Sequence, residues 1–179
     1  MAMVGLFWIT EDAVYVGSPP NAAGHCVRLT SEGVRAHGPD GLRSWPWPSL
    51  RSAVVRAVPV RNTAKRAGRF LAAVLEAVMT METPYAHEGP PQMLLSLATE
   101  DGTEELWVPA ATSGYTSREI ALSQRLLARY REGACAPRTL TAWSRKHLGA
   151  APAPPEREAL LREWVNASGA GPGVRGAVS

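Results

Sequence analysis

Gly5-Leu6-Phe7-Trp8-Ile9-Thr10-Glu11-Asp12-Ala13-Val14-Tyr15-Val16-Gly17 is the stretch on which the fold class turns. Leu6 to Ile9 is apolar and built of strand formers, Thr10-Glu11-Asp12 is a turn, and Val14 to Val16 is a second strand that Gly17 stops. Ile9 and Val14 are too close in sequence for any connection but a tight hairpin. Downstream, Ser18-Pro19-Pro20-Asn21 predicts a loop, Cys26 to Leu29 a third strand and Val34 to Ala36 a fourth. Gly38-Pro39-Asp40-Gly41 reads as another loop. In Trp45-Pro46-Trp47-Pro48 two prolines at alternate positions each lack a ladder donor, which places the segment at a sheet edge or lead-in. Ala53 to Val60 is strongly strand-like, with Pro59 near its end.

The period then changes. Over about 63–79, Ala67, Phe70, Leu71, Val74, Leu75 and Val78 fall on one face and Lys65, Arg66, Arg69 and Glu76 opposite, which predicts an amphipathic helix. A second hairpin follows, Met93 to Ala98 turning through Glu100-Asp101-Gly102 into Glu105 to Val108. Thr116-Ser117-Arg118-Glu119 is a capping box, in which the threonine hydroxyl and the glutamate carboxylate reciprocally satisfy backbone donors. It predicts a helix to about Glu132, stopped at Gly133, with Ile120, Leu122, Leu126, Leu127 and Tyr130 on its apolar side. Leu140 to Leu148 predicts a short helix, Ala150 to Pro155 a linker, and Pro155-Glu156-Arg157-Glu158 opens a last helix to about Val165. The glycine, alanine and serine tail over 166–179 reads as disordered.

Strands in succession, one more hairpin, then a helix give a mainly β (α+β) chain. This order resembles a bacterial pleckstrin-homology-like (PH-like) domain of the actinobacterial type. The resemblance is carried by the Gly5 to Thr10 hairpin, the tryptophan-led strand from Trp47 to Val60, the Asp101-Gly102 hairpin and the closing helix from Tyr115. It implies an antiparallel β-barrel or sandwich of about seven strands capped by a C-terminal helix, over residues 1–132, with the 63–79 helix as an insertion. Residues 133–165 are then linker and short docking helices. Such domains often bind phosphoinositides through basic residues beside the first hairpin. Here that turn is Thr10-Glu11-Asp12, acidic and without lysine or arginine, so the lipid site does not transfer. What transfers is use of the fold as a contact platform, and fold alone does not establish function.

The composition of this 179-residue chain is that of one ordinary globular domain, 45% hydrophobic and 20% charged. Its longest apolar run, Phe70 to Leu75, is far too short for a membrane span, and no signal-peptide pattern opens the sequence. A cytoplasmic location is expected, with membrane association as the alternative. Two cysteines, Cys26 and Cys135, supply neither a disulfide framework nor a zinc cluster. The +3 net charge rests on 17 arginines and two lysines, and two stretches concentrate it. Arg51 to Arg69 holds six basic residues and no acid, and Arg118 to Lys146 holds seven against Glu119 and Glu132.

No catalytic constellation stands out. His25, His37, His87 and His147 show no paired metal spacing, and His25 and Cys26, adjacent on a strand, would face opposite ways. There is no glycine-rich phosphate loop, and the carboxylate pairs Glu11-Asp12, Glu100-Asp101 and Glu104-Glu105 sit in or beside hairpin turns. No enzyme activity, cofactor or metal is expected. Among the tryptophans, Trp8, Trp47 and Trp107 read as core, Trp45 as a candidate contact residue, and Trp143 and Trp164 as docking residues of the C-terminal helices. The candidate contact residues are therefore Lys65, Arg66 and Arg69 on the inserted helix, Arg118, Arg125 and Arg129 on the capping helix, and Trp45, Trp143 and Trp164. The expected function is a non-enzymatic protein-interaction, adaptor or assembly module whose partner is another protein or a second copy. The alternatives are peripheral binding to an anionic membrane through the inserted helix, where each basic residue adds about 1 kcal/mol, nucleic-acid binding without a recognised motif, and an enzyme with an unrecognised site.

Overall fold

A computed structural model describes residues 1–61 and 91–167. The expected 63–79 helix, with Lys65, Arg66, Arg69 and His87, lies outside the described residues, as does the tail from 168 onward.

The opening hairpin forms as its sequence dictates. β2 (Phe7–Ile9) pairs antiparallel with β3 (Val14–Val16), Phe7 opposite Val16 and Ile9 opposite Val14. Thr10 closes the turn: its N–H donates to the Ala13 carbonyl at 2.8 Å and its hydroxyl accepts from Ala13 N at 2.9 Å. Phe7, Ile9, Val14 and Val16 all point inward and are buried, so the alternation the pleat imposes defines the core face. Before β2 lies a strand the sequence does not announce, β1 (Ala2–Val4), turning tightly through Gly5-Leu6. β4 (Cys26–Leu29), β5 (Gly33–Gly38) and β6 (Gly41–Pro46) extend the same sheet by successive antiparallel pairing, in the order β1-β2-β3-β4-β5-β6. β6 occupies what reads as loop and lead-in. It ends at Pro46, followed by the short 3-10 turn Trp47–Ser49. The edge placement argued from the prolines holds.

The second sheet is β7 (Ser52–Arg56), β8 (Gln92–Ala98) and β9 (Thr103–Pro109), in that order and antiparallel. α1 (Ser117–Arg131) starts on the expected capping box. Thr116 Oγ1 accepts from Glu119 N at 3.0 Å and Glu119 Oε2 accepts from Thr116 N at 2.8 Å. Leu122, Leu126, Leu127 and Tyr130 bury its inner face, each contributing roughly 1.5–3 kcal/mol. α2 (Arg138–Lys146) packs against β2, and α3 (Pro154–Asn166) against α1 and β1.

The expected barrel is not closed. The fold is α+β and mainly β, with two separate antiparallel sheets and nine strands among the described residues rather than about seven. β6 terminates one sheet and β9 the other. Between their inner faces stand two long charged side chains, Arg43 and Glu104, whose Nη1 and Oε2 meet at 3.0 Å. That pair bridges the two edges, which share no ladder hydrogen bonds among the described residues.

The C-terminal helices share this core. Leu140, Leu161, Trp164 and Val165 are buried in the same apolar cluster as the sheets. Trp143 meets Trp164 edge-on at 5.8 Å between ring centroids and stacks on His147 at 4.9 Å.

Two of the four sheet edges are covered. α3 lies against β1. On β7 the amide of Gln124 imitates a neighbouring strand: its Oε1 accepts from Val55 N at 3.2 Å and its Nε2 donates to Val55 O. Gln124→Ala should therefore cost about 1–3 kcal/mol, because both backbone groups lose their partner. It should also open β7 to pairing with a second chain. Thermal unfolding and light scattering over a concentration series check both effects; an unchanged midpoint with no association would refute the role given to Gln124.

Candidate functional site

The corner between β6 and β9 opens into a cleft of about 470 Å³ between the two sheets. Its lining comes from three distant stretches: the β3–β4 loop, the β5–β6 turn and the last half of β9. The floor is the exposed end of the core, Val16, Val27, Ala36, Leu106 and Val108. The rim is polar, with Ser18, Asn21, His25, His37, Asp40, Arg43 and Glu105, beside Cys26 and the indole of Trp107. An apolar floor with a few polar groups at the mouth is the usual makeup of a binding cleft.

Local chemistry fixes each wall. Asn21 folds the β3–β4 loop on itself, its Oδ1 accepting from Ala23 N at 3.0 Å and His25 N at 2.9 Å. Gly38 and Gly41 close β5 and β6 around the two-residue turn Pro39-Asp40. Ser18 fastens the near end of the cleft, its N–H donating to Pro109 O at 2.8 Å and its hydroxyl to Ala110 O at 3.0 Å. From that seam β9 runs on toward Thr103 without a partner strand on its outer edge among the described residues.

Trp107 departs from its expected core role: it is 65% exposed. On β9 Leu106 and Val108 face inward, so parity puts Trp107 outside with Glu105. Trp8, also expected in the core, is half-buried on the face opposite Phe7 and Ile9, and its indole N–H has no partner among the described residues. Trp47 keeps its place, buried with its Nε1 donating to Thr30 O at 2.9 Å.

The contact candidates read from sequence do not converge. Arg118 is exposed and reaches Glu158 of α3 at 3.9 Å. Arg129 donates to Ala167 O at 3.0 Å, tying down the end of α3. Arg125 is exposed on α1. Trp45 is half-buried under the Arg43 guanidinium, 5.3 Å from its ring centroid, near the far end of β6 from the cleft. Trp143 lines a shallow groove between α2 and α3, and Trp164 is buried.

Burial pushes the Cys26 thiol above its ordinary range, against the opposing pull of Arg28, so it stays protonated at neutral pH and is a poor nucleophile. Burial likewise raises Cys135, against its hydrogen bond from Arg129. Among the described residues no three His, Cys, Asp or Glu side chains come together as metal ligands, and no helix is long and apolar enough to cross a membrane.

Comparison with family models, with curated proteins and with solved structures finds no match to this chain.

Proposed function

We propose that the chain is a non-enzymatic protein-interaction module on a PH-like sandwich, and that its contact surface is the cleft between β6 and β9. Two antiparallel sheets followed by a helix that packs across them support the PH-like reading. The observation that carries the function is the pairing of an exposed tryptophan with a strand edge that has no partner strand among the described residues. Trp107 and, across the corner on β6, Leu42 are 65% and 70% exposed, while the β1 and β7 edges are covered. Exposed aromatic surface beside a polar rim is the composition of an interface anchor.

A photo-crosslinking amino acid at position 107, in the full chain returned to its host cells, should give a discrete covalent adduct. The same group at Arg125, on the outer face of α1, should give none. Adducts at 125 with none at 107 would move the contact surface to the basic helix face. Adducts at neither position would refute the interaction reading.

A further inference from the structure

We infer that the outer edge of β9 is a strand-addition site for an extended peptide with alternating apolar residues and at least one basic residue. This rests on the interaction reading and specifies its partner chemistry.

The register of the second hairpin determines which backbone groups are offered. Thr99 N donates to Gly102 O at 2.7 Å and Ala110 N donates to Pro91 O at 2.7 Å, with Leu95 opposite Leu106 between them. Antiparallel pairs alternate between bonded and non-bonded, so Glu104, Leu106 and Val108 spend their backbone groups on β8. Glu105 and Trp107 then aim N–H and C=O the other way. The bond from Ser18 N to Pro109 O, two residues on, confirms that direction. Pro109 also has its nitrogen on that side, where a missing N–H costs no ladder bond. Strand pairing has begun at Ser18 and stops there, leaving the backbone of Glu105 and Trp107 beside the cleft without a partner strand among the described residues.

The side chains specify what would pair. A strand laid along β9 turns every second side chain toward Val16, Val27 and Leu106, which selects apolar residues at alternate positions. The others face the rim. There Arg43 is engaged by Glu104, whereas among the described residues no ion pair holds Glu105 or Asp40. That leaves an excess of negative charge, complementary to lysine or arginine on the incoming peptide. Trp107 flanks the same path and offers its face to such a cation.

The test is panning of a random dodecapeptide display library on the full chain, repeated on Glu105→Pro. Proline at this edge position removes an outward N–H and no bond to β8, so the variant should fold. Selected peptides should carry alternating apolar residues and a lysine or arginine. Glu105→Pro should weaken them about tenfold or more, as losing a backbone hydrogen bond does. In the wild-type chain, peptide should slow hydrogen exchange at the Glu105 and Trp107 amides, a readout independent of whether the variant folds. Peptides that bind while both amides exchange as before would overturn strand addition and leave the interaction module standing. Failure to select any peptide would overturn both. A concentration-dependent dimer abolished by Glu105→Pro would place a second copy on this edge and overturn the peptide assignment.

Discussion

Arg157→Met is expected to destabilise the chain by about 3–5 kcal/mol, because it strands a buried carboxylate. Glu119 is fully buried at the start of α1, and its Oε1 accepts from Arg157 Nε of α3, a side chain that is itself mostly buried. The same carboxylate closes the capping box through Oε2. Alongside, Glu158 Oε1 accepts from the Thr116 hydroxyl at 2.6 Å, so α3 contributes two groups to the N-terminus of α1. One acid thus caps one helix and latches another, and the latch holds Leu161, Trp164 and Val165 in the core. Methionine keeps the packing volume of arginine and removes only the charge and the donors. Glu119→Gln keeps an acceptor for Thr116 N and removes the charge. The double variant should therefore recover most of what Arg157→Met loses, since removing both charges of a buried pair costs far less than removing one. Urea unfolding at pH 7 reads both values. A loss below about 1 kcal/mol for Arg157→Met, the range of an exposed pair, would show that the latch is not a buried ion pair in solution.

Much of the fold was legible where local chemistry and packing agree. The capping box set the start of α1, and Gly133, with φ +69, ends it as the sequence indicates. Both hairpins formed close to the predicted residues because strand-forming side chains and turn chemistry coincide there. β1 and β6 were not legible for different reasons. β1 is three residues long, too short to show a period. β6 is an edge strand whose first four residues, Gly41 to Ser44, are exposed, so no face was written in apolar residues.

The cleft was illegible because its walls lie far apart in sequence and only the meeting of the two sheets assembles them. One signal was nevertheless available. Trp107 shares strand parity with Glu105, and an aromatic in phase with a glutamate points to the outer face. Of the basic contact candidates, Arg118 lies 3.9 Å from Glu158 and Arg129 donates to Ala167 O, both toward α3, while Lys65, Arg66 and Arg69 lie outside the described residues.

Gly17→Ala is expected to cost about 2–4 kcal/mol, of which about 1–2 is backbone conformation and the rest contact. Gly17 has φ +75, where a side chain is strained, and a Cβ there would lie 2.3 Å from the backbone oxygen of Pro109. That oxygen is the acceptor for Ser18 N, the last bond joining the two sheets before the cleft opens. A carbonyl held in a strand cannot swing aside as a flexible side chain would, so the seam itself must shift. Gly133→Ala separates the two costs. Its φ of +69 carries the same conformational strain, but a Cβ there meets nothing within 4 Å. The difference between the two variants in unfolding free energy therefore isolates the contact at Pro109. Loosening the seam should also expose the cleft wall. Burial keeps the Cys26 thiol protonated, so greater exposure should lower its pKa and speed its alkylation by iodoacetamide at pH 8. Peptide mapping distinguishes Cys26 from Cys135, whose burial depends on α1 and the residues after it. Equal losses for the two glycine variants, or equal Cys26 alkylation in Gly17→Ala and wild type, would show that the Ser18–Pro109 seam does not hold the corner from which the cleft and the β9 edge open.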